Sequence, residues 1–390
     1  MTRRSSLSAL TALTRAYQRN LKALARAARS AAAKAPAKVA VTKTAKASAK
    51  TRAKTLAKAP TRTPARALGG GRARAAGKLL PAAGEWLGGI APGPSGARRY
   101  HLYIPAGLSL QPGKKWPLLV MLHGCAQTGA ELATVSRMNR LAAREQFLVL
   151  YPEQERMANA HRCWSWFERR SGKADAEAAT LLAAVDQLAR RQPIDLARVA
   201  VAGLSAGATM AAWMAARYPE RFCAVAMHSG AAPGSAESTA TAMAAMRGRR
   251  PAQLPERSDL RSEDVPNMPG HSTGAALPPL LVLHGDADNV VSIANAAATV
   301  ALWAQALDAR PGATRTVQRG QRYAARVTEF KTAGRAVVVL REVVGLAHAW
   351  SGGAAQCSYS DPAGPDASAL IWAFVARQFG AQAPVKRRRQ

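Results

Sequence analysis

The sequence predicts an α/β fold, a mostly parallel β-sheet with helices on both faces. Between residues 85 and 380, short apolar runs of strand length alternate with stretches of helix length. Several of the short runs are apolar without interruption, which is typical of strands buried on both faces of a parallel sheet. Apolar residues make up 48% of the 390-residue chain, enough to bury a large core.

The predicted elements follow one another in a regular order. The strands are expected at 100–105, 117–123, 147–151, 198–204, 222–228, 279–284 and 336–343. The helices are expected at 129–145, 174–191, 206–217, 292–307 and 366–379. Residues 230–277 are rich in Pro, Gly, Ser and Ala and interrupt this order, so we interpret them as a flexible insertion near the functional face and assign them no chemistry.

Charge divides the chain into an arm and a domain. The chain has 55 Lys and Arg against 23 Asp and Glu, a net charge of +32, and residues 1–80 hold 20 of the basic residues and no acidic one. The rest carries 35 basic and 23 acidic residues, or +12. We predict a basic amphipathic helix at 1–30, a disordered linker rich in Ala, Lys and Pro at 31–84, one domain at 85–380 and a basic tail at 381–390.

The arm suggests contact with a surface. On a helical wheel, one arc of about 120° is apolar and the opposite side is cationic. The apolar arc contains Leu7, Leu10, Leu13, Tyr17, Leu21 and Leu24. Such a helix needs a partner: its own domain, an anionic membrane or another hydrophobic particle surface. The evenly spaced lysines of the linker would neutralise phosphates without reading bases, so any nucleic-acid binding would be non-specific.

Membrane insertion and metal binding find no support in the sequence. No stretch approaches the roughly 20 apolar residues that span a bilayer, so we expect no transmembrane segment. The first 30 residues lack the apolar run of a secretory signal. The four cysteines lack metal-type spacing, and two disulfides or four buried thiols both remain open. They are Cys125, Cys163, Cys223 and Cys357.

A candidate nucleophile lies between a predicted strand and a predicted helix. The pattern GxSxG occurs at Gly203–Gly207, with Ser205 at its centre. Small residues flank such a serine because the turn is strained and brings neighbouring backbones close, which leaves the hydroxyl exposed. By itself the pattern also occurs as a turn filler, but the strand and helix on either side favour catalysis.

A serine hydroxyl needs a general base and a group that orients the base. In chain order the expected sequence is Ser, then Asp or Glu, then His. His348 follows the last strong strand and precedes the last helix, where a general base is expected; the alternative is a surface-loop histidine. Three other histidines end strands and more plausibly shape turns. They are His123, His228 and His284.

The acidic residue is chosen by its spacing. The strand that ends at His284 is followed by the loop Gly-Asp-Ala-Asp-Asn-Val-Val, which contains two carboxylates. The spacing HGxxDxxV selects Asp288 as the partner of the histidine, and Asp286 is expected to bond the loop backbone. Asp286 remains the alternative.

Backbone N–H groups and aromatic rings complete the predicted site. An oxyanion hole needs two N–H donors, one from the residue after the nucleophile, Ala206, and one from the loop after an earlier strand, Cys125. Trp164, Trp166 and Trp350 lie near the catalytic segments and are candidate substrate-binding residues; the alternative is that at least two of them belong to the core.

Together these segments resemble one family. Seven segments spread over about residues 85–380 are similar to the polyhydroxybutyrate depolymerase family of esterases, which includes feruloyl and acetylxylan esterases. The segments are LHGCAQTG, YPEQ, NAHRCWSWF, GLSAGATMA, HGDADNVV, GLAHAWSGG and SYSDPAGPDAS. The resemblance implies an α/β-hydrolase fold, a Ser205–Asp288–His348 triad, an acyl-enzyme mechanism and no cofactor. It also implies that Cys125 pairs with Cys163, which leaves Cys223 to pair with Cys357.

The resemblance implies hydrolysis of short-chain polyhydroxyalkanoate polyesters or oligomers. The alternatives are a feruloyl or acetylxylan-type carboxylesterase and, from another class, a nucleoid- or membrane-surface-binding protein with a hydrolase scaffold. The arm would hold the enzyme on a polyhydroxyalkanoate granule or an anionic surface. Known members suggest secretion, whereas the basic arm stands where a signal peptide is expected, so a cytoplasmic, granule- or surface-associated protein is the competing interpretation.

Overall fold

A computed structural model of the chain describes residues 83–108, 113–255 and 276–381. Within them one mixed sheet has eleven strands, and a separate pair of short strands lies beside it. The strands of the sheet are β1 Gly84–Ala91, β2 Arg98–Pro105, β3 Trp116–Leu122, β4 Leu148–Glu153, β5 Ile194–Leu204, β6 Ala224–His228, β7 Leu280–Gly285, β8 Arg310–Pro311, β9 Arg315–Val317, β10 Ala325–Thr332 and β11 Arg335–Val343. The short pair consists of β12 Trp350–Ser351 and β13 Ser360–Asp361.

Seven α-helices connect and cover the strands of the described residues. They are α1 Gly129–Ser136, α2 Met138–Glu145, α3 Lys173–Ala189, α4 Ala206–Arg217, α5 Thr239–Met246, α6 Ala294–Ala306 and α7 Ala367–Ala381. None of them is long and apolar enough to cross a bilayer. The predicted helix at 129–145 is two helices, because Arg137 takes a left-handed conformation (φ 55°) between α1 and α2.

The centre of the sheet is parallel, as predicted. In the order β4, β3, β5, β6, β7 and β11, each strand pairs in parallel with the next. Antiparallel strands extend both edges, with β2 and β1 beyond β4 and with β10 beyond β11. The carboxyl ends of the parallel strands therefore meet along one edge, where loops from different parts of the chain come together.

Side chains of β3 show why both faces are covered. Leu118, Val120 and Leu122 pack into the core beneath α3, α4 and α6. Leu119 and Met121 point to the opposite face and pack into the core beneath α1, α2 and α7. Because every residue of β3 is buried, its sequence is apolar throughout instead of alternating. The sheet with helices on both faces confirms the predicted fold class, an α/β-hydrolase.

The predicted segments near the termini and in the insertion are only partly described. The amphipathic helix at 1–30 and nearly all of the linker at 31–84 lie outside the described residues, as does the tail beyond residue 381. Of the segment 230–277, residues 230–255 and 276–277 are described, and the first of these ranges contains α5, an element the sequence analysis did not predict. The sequence analysis also missed β1 and β10.

Candidate active site

Ser205 lies in a sharp turn between β5 and α4. Its backbone has φ 56° and ψ −121°, a conformation that costs a non-glycine residue energy and is found mainly at functional sites. Its N–H donates to the His228 carbonyl at 2.9 Å, which anchors the turn to the neighbouring strand β6. A Cβ atom on Gly207 would overlap the carbonyl oxygens of Leu122 and His123, so only glycine fits there. The turn therefore has the local structure that GxSxG predicted.

Asp288 lies in the loop after β7, where three hydrogen-bond donors and a close contact with His284 hold its carboxylate. Its Oδ1 accepts from the N–H groups of Val290 and Val291, both at 2.9 Å. Its Oδ2 lies 2.7 Å from Nδ1 of His348 and 3.3 Å from Nε2 of His284. Because the carboxylate side chain is fully buried and yet fully bonded, it holds the His348 ring in one orientation.

The pKa of Asp288 follows from its burial and its histidine neighbours. Burial by itself would raise its pKa, but the adjacent His348 and hydrogen bonds from His284 and His348 lower the pKa of the carboxyl well below its usual range. Asp288 therefore stays ionised throughout the neutral range.

Asp286, the alternative carboxylate, has a different position. Its Oδ1 accepts from the Gly345 N–H at 2.7 Å, and its Oδ2 lies 3.3 Å from Arg326. It thus ties the loop before His348 to the loop after β7. The structure brings Asp288, and not Asp286, into contact with His348.

Ser205, Asp288 and His348 follow three parallel strands, β5, β7 and β11, and all lie beyond their carboxyl ends. In the described part of the chain, the hydrogen-bond partner of the His348 side chain is Asp288, and no hydrogen bond joins it to the Ser205 hydroxyl. Bonds between a serine and its base are often long in unliganded enzymes and shorten when substrate binds. The structure thus places Asp288 and His348 together, with the Ser205 turn at the same sheet edge.

Two buried histidines near the site have structural contacts, as the sequence analysis expected. His228 accepts from the Ser351 N–H at 3.1 Å and stacks on Trp350, with ring centres 5.1 Å apart. Burial lowers the pKa of His228 to about 3. His284 donates through Nε2 to the Val291 carbonyl at 2.8 Å. These contacts support the loops that carry His348 and Asp288.

His123 fixes the loop after β3. Its Nδ1–H donates to the Gly124 carbonyl at 2.8 Å, and its Nε2 accepts from the Gln154 N–H at 3.1 Å. Burial lowers the pKa of His123 to about 4, so the ring is neutral at pH 7 and can both donate and accept.

The two predicted oxyanion donors lie on the wall of one cavity with Ser205. Cys125 and Ala206 both line it. Their N–H groups donate to no other described residue, whereas Ala126 N–H donates to the His161 carbonyl at 2.7 Å. Two free N–H groups beside a nucleophile are what an oxyanion hole requires.

A disulfide joins Cys125 to Cys163, the pairing that the resemblance implied. The expected second pairing is wrong: no disulfide joins Cys223 to Cys357. The Cys223 thiol is buried and donates to the Ala197 carbonyl at 2.9 Å, on strand β5.

A buried ion pair supports the segment that follows Cys163. Glu177 of α3 accepts from Arg98 at 2.9 Å, from the Gln154 side chain at 2.6 Å and from the Ser165 N–H. The side chains of Arg98 and Glu177 are 3% and 0% exposed, so the charges are compensated inside the protein. Sequence analysis did not find this network, because its members are far apart along the chain.

For two of the three candidate tryptophans, the predicted role in substrate binding is wrong. Trp164 and Trp350 are both 0% exposed and do not line the cavity. Trp164 donates to the His123 carbonyl, and Trp350 donates to Ser368, so each supports the core beneath the site. Trp166, 5% exposed, does line the cavity, together with Phe167.

The cavity beside Ser205 measures about 320 Å³ and is mostly apolar. Its lining residues come from three regions: the sheet edge, the segment 159–168 around Cys163, which includes the polar Asn159, His161 and Glu168, and helix α5. They include Cys125, Trp166, Phe167, Ser205, Ala206, Thr209, Ala231, Thr239, Ala240, Ala242, Met243, Met246 and Val291. Sequence analysis assigned no chemistry to residues 230–277. The signal that could have predicted α5 is Ser238, a helix N-cap residue that directly precedes the sequence TATAMAAM.

Within the described residues, no group of His, Cys, Asp and Glu is placed to hold a metal ion.

The fold and the serine turn define an α/β-hydrolase. Residues 98–320 match the family described as esterase PHB depolymerase, more than half of the chain, and the protein belongs to this family. It is 32% identical over 199 residues to poly(3-hydroxyalkanoate) depolymerase C of Paucimonas lemoignei, a match that covers 51% of this chain and 46% of that protein.

Other relatives are esterases too. Over 200 residues the chain is 30% identical to feruloyl esterase B of Neurospora crassa, which covers 50% of this chain and 64% of that one. The chain thus spans less than two thirds of the length of either curated relative. The solved structure of acetyl xylan esterase from Aspergillus awamori superposes with a TM-score of 0.51 and 21% identity, over 68% of this chain and 94% of that one, and shows the same fold.

Proposed function

We propose that the protein is a carboxylic ester hydrolase in which Ser205 is the nucleophile, His348 the general base and Asp288 the carboxylate that orients it. The observation that carries this proposal is the 2.7 Å hydrogen bond between Asp288 and His348, at the same sheet edge as the strained Ser205 turn. The cavity beside Ser205 supplies a place for the ester.

The mechanism follows from the hydrogen bonds of the imidazole. Because Nδ1 of His348 donates to Asp288, Nε2 is the nitrogen that takes the Ser205 proton as Oγ attacks the ester carbonyl carbon. The N–H groups of Cys125 and Ala206 stabilise the negative charge on the carbonyl oxygen. His348 then gives its proton to the leaving alcohol, and an acyl-enzyme remains on Ser205.

Water completes the reaction. His348 removes a proton from a water molecule as the water attacks the acyl-enzyme. The second tetrahedral intermediate collapses when His348 returns this proton to Ser205 Oγ, which releases the carboxylic acid and free Ser205. Asp288 stays ionised throughout and stabilises the imidazolium that forms in each half of the reaction.

The proposed substrates are esters of short hydroxyalkanoic acids, as polyesters or oligomers. Two observations support this choice: the mostly apolar cavity lining, and the 32% identity to a poly(3-hydroxyalkanoate) depolymerase. A feruloyl or acetylxylan-type esterase is the alternative, supported by the 30% identity to a feruloyl esterase.

A substrate panel tests the proposal. Turnover of p-nitrophenyl butyrate, hydroxybutyrate oligomers and methyl ferulate would be compared for the wild type and Ser205→Ala. We expect the oligomers to have the highest kcat/KM and Ser205→Ala to lose several orders of magnitude in kcat. Near-normal activity of Ser205→Ala would refute the nucleophile, and preference for methyl ferulate would select the alternative substrate class.

The proposed role of the basic arm rests on its sequence alone. We propose that it holds the enzyme at an apolar granule or an anionic surface. Deletion of residues 1–80 would then remove binding to polyhydroxyalkanoate particles or anionic vesicles while turnover of soluble esters persists. A protein without turnover, with or without the arm, would instead be a surface-binding protein on a hydrolase scaffold.

A further inference from the structure

Helix α5 forms one wall of the cavity beside Ser205. Thr239, Ala242, Met243 and Met246 all line it. Their spacing of three, four and seven residues places them on one face of the helix. Thr239 and Ala240, in the first turn, are exposed, whereas Met243 and Met246 are half-buried, so the lining side chains are less exposed towards the C-terminal end of the helix.

The inner end of this wall is fastened to the Asp288 loop. The Met246 carbonyl accepts from the Ser292 N–H at 2.8 Å and from the Asn295 side chain at 2.9 Å. Asn295 is buried and also accepts from the Ala232 N–H at 2.9 Å, so it joins both ends of the segment that contains α5.

The outer end is fastened to the aromatic side of the cavity. Arg170 N–H donates to the Glu237 carbonyl at 3.2 Å, and the Arg169 guanidinium donates to the Gly234 carbonyl at 2.6 Å. The cavity is also lined by Trp166 and Phe167, which pack edge to face with ring centres 5.4 Å apart. With both ends of α5 fixed, the width of the cavity is set by the side chains that point into it.

Which half of the ester enters this cavity follows from the positions of the catalytic groups. The general base must lie beside the leaving alcohol, because it protonates that alcohol and then activates the water that replaces it. Among the described residues, those lining the cavity include Ser205, Cys125 and Ala206 but not His348. This arrangement favours an acyl group in the cavity and an alcohol that leaves on another side of Ser205.

We propose that this cavity is the acyl-binding pocket and that Met243 limits the length of the acyl chain; this rests on the proposed esterase function. The volume of about 320 Å³ is at the low end for small-molecule sites, which suits one short, mostly apolar acyl group. Met246 packs against the core, whereas Met243 lies one helical turn nearer the exposed end of α5. A larger side chain at Met243 shortens the pocket, and a smaller one extends it.

The test compares p-nitrophenyl esters from acetate to decanoate with wild type, Met243→Trp and Met243→Ala. For Met243→Trp, we expect the ratio of kcat/KM for hexanoate to that for acetate to fall by about 10-fold or more, since one methylene in an apolar pocket is worth about that factor. For Met243→Ala, the preferred acyl chain becomes longer by at least two carbons. Met157→Trp is the matched control, because Met157 is 98% exposed and does not line the cavity; its chain-length profile stays that of the wild type.

Three results would overturn the inference. The first is an unchanged chain-length profile in both Met243 variants, and the second is a loss that is equal for all acyl lengths. The third is a change that follows the alcohol in a series of alkyl acetates instead of the acyl group. A wild type no more active than Ser205→Ala would overturn the proposed function itself, a result distinct from these three.

Discussion

Nδ1 of His348 lies 2.7 Å from Oδ2 of Asp288, and this contact leaves Nε2 as the imidazole nitrogen available for the proposed reaction. Asp286 is two residues away and bonds Gly345 and Arg326 instead. Asp288 and Asp286 thus offer a matched comparison between a carboxylate that we propose orients the general base and one that supports the loop.

Replacing Asp288 tests its proposed role. In Asp288→Asn the amide presents an N–H to the ring and favours the wrong tautomer, so kcat for p-nitrophenyl butyrate should fall by about 10³–10⁴-fold. Asp286→Asn should retain kcat within about 10-fold, because it weakens only a loop contact. A larger loss in Asp286→Asn would reverse the assignment.

A substitution at Gly207 tests how closely the Ser205 turn is packed. A methyl group there would collide with the backbone of β3 and its following loop, so Gly207→Ala should lower the free energy of unfolding by at least about 2 kcal/mol and displace Ser205. Urea unfolding and ester turnover measure the two effects. Gly380→Ala is the control, because nothing lies within 4 Å of a Cβ at that helical position, and it should be neutral or slightly stabilising. Equal tolerance at both positions would contradict the close packing of the turn.

The Cys125–Cys163 disulfide closes a loop with a sequence separation of 38 residues. Removing such a crosslink costs about 4 kcal/mol by the chain-entropy estimate. Cys125→Ser with Cys163→Ser should therefore unfold at lower urea and lose ester turnover, since the proposed oxyanion donor lies in that loop. Cys223→Ser with Cys357→Ser keeps the disulfide and should keep turnover near the wild-type value. Full ester turnover without the disulfide would show that the crosslink does not support the active site.

Buried histidines make stability depend on pH. Burial lowers the pKa of His228 to about 3 and that of His123 to about 4, against about 6.5 in the unfolded chain. As pH falls below 6.5 the unfolded state takes up these protons first, so each histidine reduces the free energy of unfolding by about 1.4 kcal/mol per pH unit until its folded pKa is reached. Urea unfolding between pH 6.5 and 4.5 should show this slope, reduced by about half in His228→Gln. An unchanged slope in that variant would show that His228 does not titrate as inferred.

Part of the site was predictable because it depends on local sequence. Gly203–Gly207 specifies its turn through glycines and strand-to-helix context, and chain order then selects His348 and Asp288. The strands β1 and β10 were missed because β1 forms one edge of the sheet and β10 lies next to the other edge, beside only the short strands β8 and β9. Both strands contain many partly exposed residues, so their apolar signal is weaker.

The sequence alone determined the parallel α/β architecture and the catalytic candidates, because the spacing of apolar residues and the residue types in turns are properties of neighbouring residues. Only the tertiary structure decided which tryptophans are buried, that Cys223 and Cys357 stay apart, and that α5 walls the cavity. These facts depend on packing between segments distant along the chain, and no local pattern records how such segments meet.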